Sequence, residues 1–562
     1  MLELIKDFAA PDKSFYPAIN WIWNTEITES GIEEQIRKFK DAGFKAVLIM
    51  AEPEEFRPDS MATDLKPRYL SREYFKLIHF AAEILKKYDM AFWLYDEGGW
   101  PSGGACTQVV KNNNDFSGKQ VIYITRSFSA GEKYLPVNDE KSVFLAAFAD
   151  NAARIGEDTV ISRDTVVYEY RIYSSVCLRG DYYRTDIADI HATEEFIRLT
   201  HKRYFDALKD FKKSFASGFI PIFFNDEPSL FENAWTIDLE QKFFEKYGYD
   251  VIKYLPFIAG DKKPDQEDEI IALADYKLLL TELLRDNYFI PIRNYCRSHG
   301  VCFGGHLDGE HDAYNFIYNM RYGNPMEILR SYDIPGIDAI WRQIFPSENI
   351  DETWERKQIF PRYASSAARQ IGNNKALSES FAVYGDGLTL NEMRYIVASQ
   401  AIRGINMFDF MVSSYGTKSA YSLVERPSFA PEKPGFNNLR IINDYTARLC
   451  FLLSYFSFTC GAALYLPVRD IAVGGDNAKK AAYEFERLAV LLEKRHIDFD
   501  IIDDEAVRKA ELNNNRLCLG KAEYHTVYIP SGVKRIPPEV KKKISNLKGE
   551  EEKRYLNAII VI

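Results

Sequence analysis

From residue 15 to about residue 455 the sequence repeats one pattern, a short apolar run followed by a longer stretch with apolar residues at helical spacing. The runs fall at 16–24, 45–50, 91–96, 219–225, 301–306, 334–340, 376–381 and 405–411. An apolar run of this length reads as a strand buried on both faces. Between the runs, Ile32, Ile36 and Phe39 share one helical face, and Gly43 closes that helix. Tyr74, Leu77, Ile78, Ala81 and Leu85 share another. Eight strand–helix units in series argue for an α/β fold, a closed (β/α)8 TIM barrel rather than an open sheet.

Two regions break the pattern. Residues 119–190 hold alternating runs such as 120–125 and 166–173, which suit antiparallel strands with one wet face. They read as a small β insertion after strand three. From about residue 461 a strand at 462–466, a helix at 483–495 and strands at 499–502 and 526–529 form a separate α/β pattern. The expected division is a barrel at 1–118 and 191–458, a β-rich insertion at 119–190, and an α/β domain at 459–562. The apolar run that reaches Ile562 makes this last domain read as incomplete.

Composition removes several functions. A net charge of −11 and a pI near 5.5 argue against a nucleic-acid partner. Seven cysteines without paired spacing fit a reducing compartment. The first residues have no basic start and no long apolar stretch, so no signal peptide is expected and a cytoplasmic location is. The apolar stretch at 449–468 is about long enough to cross a bilayer. Gly461 and Pro467 interrupt it, so it reads as a helix end followed by a strand, and no membrane partner is expected. A homo-oligomer is left open.

The strand ends carry more polar groups than a structural barrel needs. Strand one ends at Trp23-Asn24, strand three at Asp96-Glu97 followed by Trp100, and strand four at Asn225-Asp226-Glu227. Strand five runs into His306, Asp308 and Glu310, and strand seven carries Glu379. The C-terminal ends of barrel strands are where such folds build active sites. One strand-end carboxylate is often a helix cap or a lysine partner; a set on one face is harder to explain that way. Two glutamates facing one cavity suit glycosidic-bond cleavage, which needs a proton donor and a second carboxylate. Asp226, Phe223 and Phe224 beside Glu227 favour a raised pKa and the acid role. Ser378 and Ser380 flank Glu379, and their hydroxyls could donate to its carboxylate, which suits a nucleophile or a base. Glu310 and Glu97 are the reserve carboxylates. Trp23 and Trp100 offer faces for a sugar ring. Asn24, Asp96, Glu97, Asn225, Asp226, His306 and Asp308 offer partners for its hydroxyls.

The cluster from His306 to Asp312 also admits a metal. Catalytic zinc wants two or three histidines, and the chain has eight in all with no His-x-His at strand one. Ca²⁺ held by oxygen ligands stays open. The sequence requires no cofactor.

These residues carry a family resemblance. The segments Trp21-Ile22-Trp23-Asn24, Tyr69-Leu70-Ser71, Trp93-Leu94-Tyr95-Asp96-Glu97-Gly98-Gly99-Trp100-Pro101-Ser102-Gly103, Phe224-Asn225-Asp226-Glu227-Pro228, Ile334-Pro335-Gly336-Ile337-Asp338 and Ser378-Glu379-Ser380-Phe381 resemble glycoside hydrolase family 106. That resemblance spans roughly residues 15–530, and the Trp93–Gly103 segment is its specific part. It implies α-L-rhamnosidase activity, inversion of the anomeric centre and room for Ca²⁺, and the tail domain resembles the flavodoxin-like module that follows the barrel in several glycosidases. The expected function is an exo-acting glycoside hydrolase that removes a terminal sugar from an oligo- or polysaccharide. The alternatives are a carbohydrate-binding barrel that has lost catalysis and a metal-dependent barrel hydrolase.

Overall fold

The computed structural model describes residues 2–57, 59–174, 177–179, 182–215, 217–347, 351–419, 422, 427–456, 460–547 and 560–561. Eight parallel strands close a barrel: β1 (Ala18–Trp23), β2 (Ala46–Ala51), β3 (Ala91–Tyr95), β4 (Ile222–Asp226), β5 (Cys302–His306), β6 (Ile334–Ala339), β7 (Leu377–Ser380) and β8 (Met407–Ser414). Each pairs with its neighbours in chain order, and β8 returns to β1. All eight apolar runs therefore became barrel strands, with ends shifted by up to three residues. Ala18, Ile22, Leu48, Met50, Trp93, Tyr95, Ile222, Phe224, Ile334 and Leu377, all on the strands, belong to one cluster that fills the interior. The alternate residues pack outward against the helices in a second, larger cluster.

The helices follow the periodicity. Glu29–Asp41 buries Ile32, Ile36 and Phe39, and the Thr28 hydroxyl caps its start by accepting from the Gly31 amide. Arg72–Lys87 buries Tyr74, Ile78, Ala81 and Leu85, with Ser71 as its cap. Such caps satisfy amides that have no partner inside the helix.

Strands at Lys119–Phe128, Ser142–Ala149, Ala153–Ile155 and Thr165–Ser174 form an antiparallel sheet on one side of the barrel. A short strand, Ala234–Trp235, joins its edge from beyond β4. The C-terminal unit has parallel strands Ala462–Tyr465, Asp500–Ile502 and Thr526–Ile529, with Ile560–Val561 antiparallel at the edge. The expected boundary at 458/459 lies outside the described residues. A three-stranded meander at Glu511–Asn513, Arg516–Leu519 and Ala522–Tyr524 was not foreseen. Its strands are only three or four residues long, too short for a readable alternation. The 449–468 stretch splits into the end of a helix, Leu439–Tyr455, and the strand Ala462–Tyr465. No helix among the described residues is long and apolar enough to cross a membrane.

The C-terminal unit docks without an apolar break. Leu464, Phe485, Leu488, Leu492, Phe499 and Ile501 belong to the same buried cluster as the barrel's outer face. Charged pairs pin the contact. Arg362 donates to Glu493 at 2.8 Å and Asp498 at 2.6 Å, and Arg330 donates to Asp503 and Glu505 at 2.8 Å each. Arg369 Nε donates to both oxygens of Asp500, at 2.9 and 3.1 Å. Asp500 is 0% exposed. Arg369→Met should leave that carboxylate buried among neutral donors and destabilise the chain by about 3–5 kcal/mol, the usual result of breaking a buried pair. Urea unfolding measures this. A loss under about 1 kcal/mol, the scale of a surface pair, would mean that the pair does not hold the interface.

Candidate active site

Strand parity decides which side chains reach the cavity, because successive residues point to opposite faces. In β4, Ile222 and Phe224 face inward, so Asp226 does too, while Phe223 and Asn225 face the helices. In β7, Leu377 and Glu379 face inward. The register then sets neighbours side by side: Asp226 beside His306, Asp338 beside Glu379, and Glu379 beside Asp409. Five strands thus deliver one ring of polar groups to the C-terminal mouth. All are buried, at 1–6% exposure for Asp226, His306, Asp338 and Glu379 and 0% for Asp409.

His306 is the centre of the ring. Its Nε2 lies 3.4 Å from Glu379 Oε2 and 3.5 Å from Asp226 Oδ1, while Nδ1 lies 3.1 Å from the Leu307 carbonyl. Burial opposes its charge, but the hydrogen bond to Glu379 and the charges of Asp226 and Asp338 outweigh that and push its pKa well above the ordinary range. The imidazole therefore lies between two carboxyl groups that favour its charged form. Tyr95 donates to Asp226 Oδ2 at 2.5 Å. Burial pushes Asp226 up to about 7, with His306 working against the shift.

Glu227 follows β4 in left-handed backbone at φ 46°, with its amide donating to the His306 carbonyl at 3.3 Å. That turn swings its carboxyl toward the cavity, where Asp226, Glu227 and His306 bring one atom each within 4.8 Å of one another. Burial raises its pKa well above the carboxylate range, and Asp308, Asp226 and Asp338 add to the shift. Glu310 is pushed up to about 8, chiefly by burial. Its Oε1 and Asp338 Oδ1 are buried without a hydrogen-bond partner. Glu52, at the end of β2, is also buried and is clamped by Arg57 through two hydrogen bonds of 2.6 Å.

A family model described as alpha-L-rhamnosidase, glycoside hydrolase family 106, matches residues 185–552. The chain belongs to glycoside hydrolase family 106. The matched region contains β4 to β8 and every carboxylate of the ring. The Trp93–Gly103 segment, the most specific part of the sequence resemblance, lies before it. The fold resembles a rhamnosidase from Novosphingobium sp. PP1Y, with a TM-score of 0.73 and 13% identity over 97% of this chain and 68% of that one. A β-galactosidase from Rahnella sp. R3 is similar at a TM-score of 0.52, with 9% identity over 89% and 66%. The chain spans about two thirds of the length of each. No curated protein matches it in sequence.

In this family 106 glycoside hydrolase the sequence-derived candidates divide. Asp226, Glu227, His306, Asp308, Glu310 and Glu379 meet at the mouth. Trp23 does not. It points outward from β1, is 0% exposed, and packs edge-on against Trp21 and Tyr74 at 5.6 and 5.8 Å. Parity, unread in an all-apolar run, explains the error. Asp96 and Asn225 also turn outward. Asp96 accepts from Ser102 at 2.6 Å and from Asn225 at 2.8 Å, and Asn225 is further bonded to Tyr288 and Tyr332. Asn24 is occupied by Gly416, Ser419 and Ser422, tying β1 to the loop after β8. Trp100 stays 39% exposed, edge-on to Phe56 at 5.7 Å. Ser378 and Ser380 bond to each other at 2.9 Å on the outward face of β7, so His306 rather than a serine contacts Glu379. His311 bonds to Gln343 instead of joining His306, which leaves one histidine in the ring. Asp338, Asp409 and Glu52 were missed. Their signal was available, because a carboxylate inside or just after a buried strand needs a reason.

Glu97 is not a free carboxylate either. It accepts from the amides of Gly98 at 2.8 Å, Gly103 at 3.1 Å, Gly104 and Ala105 at 2.8 Å, and Cys106. Its side chain is the spool around which the β3 loop winds. Burial lifts its pKa to about 7 against those donors. Glu97→Ala should orphan five buried amides and destabilise the chain by at least about 3 kcal/mol, with protease nicking near residues 98–107. Normal melting and an intact loop would refute this role.

Proposed function

We propose that the chain is an exo-acting glycoside hydrolase that removes a terminal α-L-rhamnose from an oligo- or polysaccharide. The observation that carries the reading is the contrast between two glutamates at one mouth. Burial and neighbouring carboxylates push the pKa of Glu227 well above the usual range, while Glu379 lies 3.4 Å from His306 Nε2. A carboxyl group whose environment favours its protonated form suits the acid, and a second carboxyl group at the same mouth is available as its counterpart. Glu227 donates its proton to the leaving oxygen. Glu379 acts on the other face of the sugar, within 3.4 Å of His306 Nε2. Burial of the ring favours a closed pocket that admits a chain end. Trp100 offers an aromatic face, and Asp308 and Glu310 offer partners for hydroxyls. The family name and the similar Novosphingobium rhamnosidase support the choice of sugar.

Glu227→Gln and Glu379→Gln should each keep the fold and lose ~10²–10⁴-fold in kcat/KM on an aryl α-L-rhamnoside. Glu227→Gln should lose less on an aryl leaving group that needs no proton. An acid works only while protonated, so kcat/KM should hold below the raised pKa of Glu227 and fall as pH rises through it. Near-normal rates in either variant would remove that residue. If Glu310→Gln is damaging where Glu379→Gln is not, the β5 glutamate takes the second role. The anomer first released, read by NMR, separates the roles of Glu379: an inverted product makes it the base for water, a retained one the nucleophile.

The site also fits Ca²⁺. Carboxylates outnumber the single imidazolium, and the unpartnered oxygens of Glu310 and Asp338 are of the kind Ca²⁺ takes. Asp338 and Glu379, whose ligand atoms lie within 4.8 Å of one another, would hold it, and it would offset their charge and orient sugar hydroxyls. Ca²⁺ at a hundredfold excess over Kd should add roughly 2.7 kcal/mol of stability, seen as a higher Tm that chelator reverses. An unchanged Tm would count against the ion.

A further inference from the structure

The segment that brings Asp308 and Glu310 to the mouth ends in a helix whose start is satisfied from another part of the chain. Residues 313–319 are helical. The first amides of a helix have no partner within it. Asp312 serves one of them, since its side chain accepts from the Asn315 amide at 2.8 Å, while its carbonyl accepts the first bond of the helix, from Phe316 at 2.9 Å. The Ala313 amide donates instead to Glu486 Oε1, at 2.8 Å. Glu486 lies 173 residues on, in the helix Gly475–Lys494 of the C-terminal unit. It is 4% exposed, and Arg356 donates to its other oxygen at 2.6 Å. The packing around this bond runs the same way. Phe316 meets Tyr363 edge-on at 5.1 Å, Tyr363 lies over Phe485 at 6.4 Å, and Tyr318 closes on Gly474.

We propose that Glu486 is a positioning residue for the active site. It caps the 313–319 helix across the docking interface and so fixes the height at which residues 307–312 present Asp308 and Glu310. It touches no substrate. The inference rests on Asp308 and Glu310 belonging to the site, as proposed above.

The test uses the full chain. In Glu486→Leu, hydrogen exchange of the peptide spanning 307–320 should quicken. The kcat on an aryl glycoside that the wild type turns over should fall at least about tenfold, since a displacement of about 1 Å at a site costs on the order of 10²-fold. Glu486→Gln keeps an oxygen for the Ala313 amide and should restore most of both. Arg403→Met loosens the same interface at Glu493 without reaching the segment, and should lower Tm while leaving kcat within about threefold. Should Glu486→Leu fail to fold, Glu486→Asp shortens the reach by one methylene and keeps the charge beside Arg356. Unchanged exchange in the Leu or Asp variant would overturn the proposal. So would a Gln variant as damaged as Leu, or Arg403→Met losing kcat equally. Exchange does not depend on the sugar, so a wrong substrate cannot imitate either result.

Discussion

One imidazolium holds this site together. His306 is buried in a barrel mouth lined by Asp226, Asp338, Glu379 and Asp409, with Glu227, Asp308 and Glu310 just above. A buried carboxylate is tolerated when it is paired, protonated or bound to a cation. One positive charge cannot serve all of them. The groups in contact with the imidazolium, Asp226 and Glu379, gain most from it, and those further out must keep a proton or find another cation. A single histidine, 3.4 Å from Glu379 and 3.5 Å from Asp226, therefore sets which of these carboxyl groups share the cation.

The ring exists because a closed parallel barrel aligns strand ends. Asp226 and His306 are register partners across β4 and β5, and Asp338, Glu379 and Asp409 are partners across β6, β7 and β8. The eight strands were legible because each is a short apolar run followed by a helical period. Glu227, Glu379 and Glu310 were legible because carboxylates close those runs. Which face each strand turns inward was not legible. A strand buried on both sides shows no alternation of apolar and polar residues, so parity has to come from tertiary structure. Hence Trp23, Asp96 and Asn225 read as cavity residues and proved to face the helices, while Asp338 and Asp409, hidden inside their strands, passed unnoticed.

The outward polar residues still shape the site. Asn225 sits between Asp96, Tyr288 and Tyr332, a layer of hydrogen bonds directly behind Asp226. Ser102 bonds Asp96 with its hydroxyl and accepts from the Asp226 amide, so the β3 loop and the end of β4 are fixed to each other. Glu97 winds the rest of that loop. Sequence shows such residues as polar groups near strand ends, where they cannot be told from ligand contacts. Only the partner list separates a carboxylate with free lone pairs from one whose lone pairs are full.

The C-terminal unit extends the same logic to the other side of the mouth. Its buried apolar face is continuous with the barrel's, so removing it would uncover Tyr363, on the helix between β6 and β7, which lies over Phe485. That helix also carries Arg362 and Arg369, whose carboxylate partners all lie in the C-terminal unit. A barrel on its own would leave these guanidinium groups without the carboxylates of Glu493, Asp498 and Asp500. The unit therefore forms part of the barrel's wall behind β6 and β7, the two strands that bring Asp338 and Glu379 to the ring. Through Glu486 it also reaches the segment after β5. The unit thus backs the helix between β6 and β7 and reaches the segment after β5, though its sequence, read alone, gives no hint of contact with the chemistry.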